Sequence, residues 1–248
     1  MIGQPLLSGP SSGPLGPPHA RHIFVGDVHG CLDELVELLT SLRVTPRDVV
    51  VLLGDLLDRG PDPAAVVRYA RAHEFLCVVG NHEDKALRYR AHELAGRAPN
   101  PVSVLPERLA QWQQLGPEDW TWLEAQPRWR FGPVQGNAWA AVHGGFETSK
   151  GVGTQDGRVV PYVRKVSSEG LWKRGTGESQ QWAKVWAQPV CVAYGHEIFP
   201  EVMVDRPGTP SACYGLDTGC FRGGKLSAAE VVGGQVYLSS VPSRQVVT

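Results

Sequence analysis

Five short clusters of residue types able to hold a divalent cation punctuate this sequence, four of them just past an apolar run and the fifth after Val190 to Tyr194. They are Gly26-Asp27-Val28-His29-Gly30, Gly54-Asp55-Leu56-Leu57-Asp58-Arg59-Gly60, Gly80-Asn81-His82-Glu83, His143-Gly144-Gly145 and Gly195-His196. Carboxylate, imidazole and amide donors suit cations that act on phosphate, and glycine lets the backbone turn tightly beside them. A lone Asp-x-His is common in solvated loops and carries little weight. Two acids and an arginine between Gly54 and Gly60 have no packing purpose, and Gly-Asn-His-Glu is sharper again. All five in order read as a two-metal phosphohydrolase site spread over several strand ends.

The elements that position these clusters alternate. Ile23-Phe24-Val25, Val49 to Leu53 and Phe75 to Val79 are uninterrupted apolar runs, as expected of strands buried on both faces. Leu32, Leu35, Val36, Leu39 and Leu42 recur at helical spacing and predict a helix that stops before Pro46. Asp62 before Pro63 predicts an N-cap with proline at the first helical position, and the helix continues through Ala64 to Ala72. A further helix is expected over Glu83 to Leu94. Asp27, Asp55 and Asn81 are 28 and 26 residues apart, close to one βαβ unit each. Right-handed crossovers would bring the strand ends to one edge. Helices are expected from Leu105 to Leu115 and Pro117 to Ala125, with Trp112 and Trp122 at packing intervals rather than as a base-stacking platform. Strands are expected at Trp129 to Phe131, Ala138 to Val142 and Val190 to Tyr194, and a short helix at Trp182 to Trp186. A hairpin is expected over Lys225 to Val232 and Gln235 to Val241, about Gly233-Gly234. The region from Gly144 to Gly177 has little periodicity and reads as a long, substrate-facing loop.

Composition agrees with an enzyme of this size. The chain has 248 residues, 42% of them hydrophobic, enough for one large domain. Its net charge of −1 gives no global attraction to nucleic acid or an anionic membrane, and no basic run supports long RNA contacts. No apolar run approaches a membrane span. Residues 1–21 are rich in proline and glycine and lack an apolar signal core, so they read as a flexible N-terminal tail, with Met1-Ile2 and Leu6-Leu7 able to dock locally. Residues 22–248 form the folded domain. The five cysteines have no paired spacing, and Cys31 and Cys77 lie in apolar segments as core thiols. The expected setting is intracellular and cytoplasmic.

Over about residues 22 to 232 the motifs resemble the calcineurin-like metallophosphoesterases, in the branch that holds the phosphoprotein phosphatases and the diadenosine tetraphosphate hydrolases. Gly80-Asn81-His82-Glu83-Asp84-Lys85-Ala86-Leu87 and Gly215-Leu216-Asp217-Thr218-Gly219-Cys220, followed by Gly223-Gly224-Lys225-Leu226, are most similar to ApaH-like phosphatases. The resemblance implies a layered α/β (α+β) fold with a central β-sandwich flanked by helices. It implies two divalent cations, manganese first, with iron, zinc or cobalt as other occupants. Asp27 and His29 would hold one cation, Asn81, His143 and His196 the other, and Asp55 both. Water activated by the metals would attack phosphorus in line, with Arg59 clamping a phosphate oxygen. His82 would not ligate but would protonate the leaving group, oriented by Asp58. Asp58 could instead pair with its neighbour Arg59. Glu83 reads as a complement to the helix dipole, and Asp217 as support behind the ligands.

The preferred ester is open between readings. Symmetrical tetraphosphatases tend to carry alanine where this chain has Asp58, and an intact His82–Asp58 pair suits alcohol leaving groups, as in a serine/threonine-type phosphoprotein phosphatase. Against that, Val79 stands where those enzymes have arginine, and their Ser-Ala-Pro-Asn-Tyr-type loop is replaced by residues 215–220. The favoured substrate is therefore diadenosine tetraphosphate or a related polyphosphate. An mRNA cap hydrolase and an inactive phosphate-binding module are the remaining readings. Arg164 and Arg174, in the long loop, are alternative second contacts for a polyphosphate. His19, His22, His73 and His92 are expected at the surface.

Overall fold

The computed structural model describes residues 10–96, 98–172 and 179–246. The chain opens with β1 (Ser12–Gly13), β2 (His22–Val25), α1 (Leu32–Ser41), β3 (Val49–Leu52), α2 (Pro63–Ala72), β4 (Leu76–Cys77) and α3 (Asn81–Leu94). It continues through α4 (Pro106–Trp112), α5 (Pro117–Glu124), β5 (Trp129–Val134), β6 (Asn137–Val142), β7 (Lys165–Val166), β8 (Gln180–Gln181) and α6 (Trp182–Val185). It closes with β9 (Cys191–Tyr194), β10 (Met203–Asp205), β11 (Cys213–Gly215), β12 (Asp217–Thr218), β13 (Lys225–Val232) and β14 (Gln235–Pro242).

Two sheets face each other. In one, β2, β3 and β4 run parallel, and β13 joins β2 antiparallel and carries β12 and β14. In the other the order is β1-β5-β6-β9-β11-β10, with β6, β9 and β11 parallel. Alternation along each strand sorts the side chains. Phe24, Val51 and Val78 meet Trp139, Ala193 and Tyr214 between the sheets, and Phe24 stacks on Trp139 with centroids 5.2 Å apart. Ile23, Val25, Val50 and Leu52 face outward onto Leu35, Leu38 and Leu39 of α1, Val66 and Val67 of α2, and Ala86 and Leu87 of α3. The outer face of the second sheet is covered by Phe146, Trp182 and Trp186. This is the expected layered α/β sandwich. The strand ends at β2, β3, β4, β6 and β9 converge on one rim.

Several local expectations shift. The α3 helix starts at Asn81, not Glu83, because Glu83 Oε2 accepts the Gly80 N–H at 2.9 Å and closes the first turn from within. The segment after His143 does not merely overhang: it includes the 3₁₀ turns Val152–Thr154 and Val160–Tyr162, and Val152, Val160, Val163 and Val166 are buried. Residues 10–21, expected as a flexible tail, are docked. β1 pairs in parallel with β5, Leu15 is 1% exposed between the sheets, and Arg130 Nη1 donates to Pro14 O at 2.9 Å. Met1-Ile2 and Leu6-Leu7 lie outside the described residues. His22 is buried rather than at the surface, its ring bonded to Ala20 O and Leu15 O at 3.0 and 2.9 Å. Its imidazole ties that segment to β2. All five cysteines are free and buried. Among the described residues no helix is long and apolar enough to cross a membrane.

Candidate active site

Each sequence cluster occupies a loop leaving the carboxyl end of a strand, and the side chains meet around Asp55. Asp27 and His29 follow β2, Asp55 and Asp58 follow β3, Asn81 and His82 open α3, His143 follows β6, and His196 follows β9. Asp55 Oδ1 lies 3.3 Å from His143 Nε2, and Oδ2 lies 3.4 Å from His29 Nε2. His143 Nε2 is also 3.0 Å from Asn81 Oδ1. The His196 ring stands 4.9 Å from the His143 ring, and its backbone N–H donates to Asp27 Oδ1 at 3.1 Å. Close approach explains two glycines: a Cβ at Gly80 would overlap the Asp55 carboxylate, and one at Gly195 would overlap that of Asp27.

The backbone holds the imidazoles in one orientation. His29 Nδ1 donates to Leu57 O at 2.7 Å and His143 Nδ1 to Leu53 O at 2.8 Å, which leaves each Nε2 facing Asp55. Burial pushes the His29 imidazole down to about 3 and, aided by the charge of His143, that of His196 to about 2. Both rings are neutral at pH 7, as a metal requires. Asp27 is pushed well up by burial and by the neighbouring Asp217 carboxylate, with Asp55 adding to it. For Asp55 burial works upward too, but the His143 and His82 imidazoles outweigh it and hold the carboxyl well down. Burial alone would lower His143, yet Asp55 and Asp27 push it up to about 10. Buried carboxylates thus outnumber their compensating charge, and neutral imidazole nitrogens face the same space. That donor set fits divalent cations.

His82 stands apart from the other rings in one respect. Its Nδ1 donates to Asp58 Oδ2 at 2.5 Å, and Asp58 Oδ1 accepts Trp112 Nε1–H at 2.7 Å. Asp58 is therefore engaged by His82, by Trp112 and, at 3.4 Å, by Arg108, not by its neighbour Arg59. His82 Nε2 is 3.7 Å from Asp55 Oδ2, so His29, Asp55 and His82 also lie close enough to share an ion. Arg59 is exposed and its guanidinium stacks 4.4 Å over Phe221, whose ring is 5.0 Å from that of His29. Arg164 is exposed beside His196 and donates to its carbonyl at 3.3 Å. Arg174 lies outside the described residues. Asp217 is buried next to Asp27, and its Oδ1 accepts the Gly219 N–H at 3.0 Å.

Sequence reasoning missed Glu83. Rather than complementing a dipole at the surface, its buried carboxylate accepts the N–H groups of Asp55, Leu56, Leu57 and Gly80 at 2.7, 2.9, 2.9 and 2.9 Å. A glutamate at the third helical position after a glycine N-cap was the available signal. Trp112, Arg108 and Phe221 were also missed as neighbours of the site. A separate buried group, Cys31, Glu34 and Cys220, lies behind α1. There Glu34 is taken by the Arg244 N–H at 2.8 Å, and the Cys31 thiol and burial push Cys220 far up, so these are protonated thiols rather than metal-binding thiolates.

The chain matches the calcineurin-like phosphoesterase family over residues 20–222. It is 30% identical to an asymmetrical bis(5'-nucleosyl)-tetraphosphatase of Bacillus velezensis over 230 residues, covering 82% of this chain and 86% of that one. A symmetrical bis(5'-nucleosyl)-tetraphosphatase of Cronobacter sakazakii is 26% identical over 254 residues, covering 82% and 88%. A solved structure named as a proposed diadenosine tetraphosphatase superposes with a TM-score of 0.77 at 27% identity, covering 94% of this chain and 98% of that one. With the sandwich, the rim of buried donors and a match across most of its length, this chain belongs to the calcineurin-like phosphoesterases, metal-dependent hydrolases.

Proposed function

We propose that this enzyme hydrolyses a phosphoanhydride of diadenosine tetraphosphate or a related dinucleoside polyphosphate, using two divalent cations with manganese the first choice. The observation that carries the reading is the convergence on Asp55, each of whose carboxylate oxygens faces a different imidazole. The tetraphosphatase relatives, aligned along most of both chains, support the substrate class. Asp27, His29 and Asp55 would hold one cation, and Asp55, Asn81, His143 and His196 the other. When bound, these metals supply Lewis acidity toward phosphate oxygens and toward the attacking water.

The protein's own groups supply the rest. Arg59, braced on Phe221, presents a planar fork to a phosphate oxygen at the mouth of the site. His82 gives its proton to the departing oxygen as the P–O bond breaks. Asp58 and Trp112 hold the ring for this task, the carboxylate fixing Nδ1 as the protonated nitrogen facing away from substrate. The same pair would serve an alcohol leaving group, which keeps phosphomonoesters as a second substrate class. The test is a panel at fixed manganese: diadenosine tetraphosphate, polyphosphate, a phosphopeptide and p-nitrophenyl phosphate. The highest kcat/KM is expected on the dinucleotide. A phosphopeptide preferred over it would replace this reading with the phosphoprotein one.

A further inference from the structure

Beyond His82, on the side where the leaving group departs, two cations stand together without an acid of their own. Lys85 follows His82 by three residues on α3, so the two side chains are neighbours along one stripe of the helix. Arg108 comes from α4 and reaches within 3.4 Å of Asp58 Oδ2, the oxygen that holds His82 at 2.5 Å. Asp58 is already engaged by His82 and Trp112, so a single buried carboxylate faces all of these groups. Lys85 makes no hydrogen bond or ion pair with any of the described residues, and it feels the charges of Arg108 and Arg88 as well as that of Asp58. Arg88 is different: Asp84 takes its Nε–H at 2.8 Å, and Tyr162 Oη lies 3.2 Å from its Nη2.

Support of Asp58 would account for Arg108 but not for Lys85. Two half-buried cations in mutual repulsion are costly to hold together unless an anion enters between them. We propose that Lys85 and Arg108 form the subsite for the outer phosphates of the leaving group, a nucleoside polyphosphate. This rests on the dinucleoside polyphosphate reading and extends it. The phosphoryl group under attack sits among the metal ligands, the breaking P–O bond points to His82, and the next phosphates of the chain extend toward α4. An alcohol leaving group reaches no such contact, so the subsite selects polyphosphates over monoesters.

Inorganic tripolyphosphate and orthophosphate serve as probes, each competing against p-nitrophenyl phosphate at a fixed excess of free manganese. In Lys85→Gln the inhibition constant for tripolyphosphate is expected to rise about 10- to 100-fold, the size of one charge-assisted hydrogen bond. The rise for orthophosphate should be at least tenfold smaller than that, and Lys85→Arg should recover most of the loss. Equal rises for both anions, or no rise for tripolyphosphate, overturn the subsite. For Arg108→Gln the same split is expected. A fall in kcat with an unchanged tripolyphosphate constant would make Arg108 a prop for Asp58 and remove it from the subsite. Diadenosine tetraphosphate turnover by the wild type separates the two readings: no turnover alongside the split sinks the proposed substrate but leaves the subsite standing, whereas turnover without the split sinks the subsite alone.

Discussion

Asp55 makes one carboxylate the hub of the site. Its Oδ1 accepts the His82 backbone N–H at 3.0 Å and lies 3.3 Å from His143 Nε2, while Oδ2 looks toward His29. Asp55→Asn keeps the shape but removes the charge that two dications would share, so bound metal and activity are expected to fall together, by metal analysis and p-nitrophenyl phosphate turnover. His82→Ala should keep its metal and lose about 10²- to 10⁴-fold in kcat, more on an alkyl phosphate than on p-nitrophenyl phosphate. Loss of metal would instead make His82 a ligand. His143 offers a pH test. Its folded value of about 10 exceeds the ~6.5 of an unfolded histidine, so its contribution to the metal-free fold is complete below ~6.5 and vanishes as pH rises through about 10. In chelator, urea unfolding should find the stability gap between wild type and His143→Gln shrinking across that window. A constant gap would mean the buried ring is neutral. The donors themselves were legible in the sequence because each stands beside a turn glycine. The partners of Asp58 were not, since Trp112 meets it from 54 positions away.

The loop after β3 shows how neighbouring elements secure one another. Asp55, Asp58 and Arg59 are left-handed, with φ of 50°, 66° and 71°, a conformation that costs non-glycine residues about 1–3 kcal/mol each unless their surroundings enforce it. Glu83 does the enforcing, because its carboxylate on α3 gathers the N–H groups of that loop together with that of Gly80. Glu83→Gln would turn an amide N–H toward a backbone N–H. A loss of about 1–3 kcal/mol in stability is expected, with weaker metal binding, read by melting temperature and metal titration. Lower stability with unchanged metal affinity would confine Glu83 to the fold. At this scale the continuous runs of β2, β3 and β9 and the proline-marked starts of α2, α4 and α5 were legible. β10, β11 and β12 were not, because strands of two or three residues show no period and owe their form to pairing with β9 and β13.

The two sheets bring distant strand ends to a single rim, so the site depends on how they face each other. Sequence pattern described the parallel half well, because each βαβ unit is local. It could not reveal that β13 closes onto β2 from more than two hundred positions away, or that residues 10–21 belong to the sandwich. Proline- and glycine-rich sequence suggests a free tail when taken alone, yet here Leu15 supplies the apolar contact and backbone bonds supply the register. Leu15 fills space beside Phe24, Val51 and Trp139, while its carbonyl bonds the His22 ring and Gly13 pairs with Arg130. Leu15→Ala should therefore behave as a core cavity mutation, costing about 2–5 kcal/mol, where a tail residue would cost almost nothing. Its metal ligands lie on other loops, so activity per folded molecule should persist while the melting temperature and the urea midpoint fall. A change below ~0.5 kcal/mol, the range of ordinary surface substitutions, would mean that the segment detaches in solution and that the sandwich holds without it.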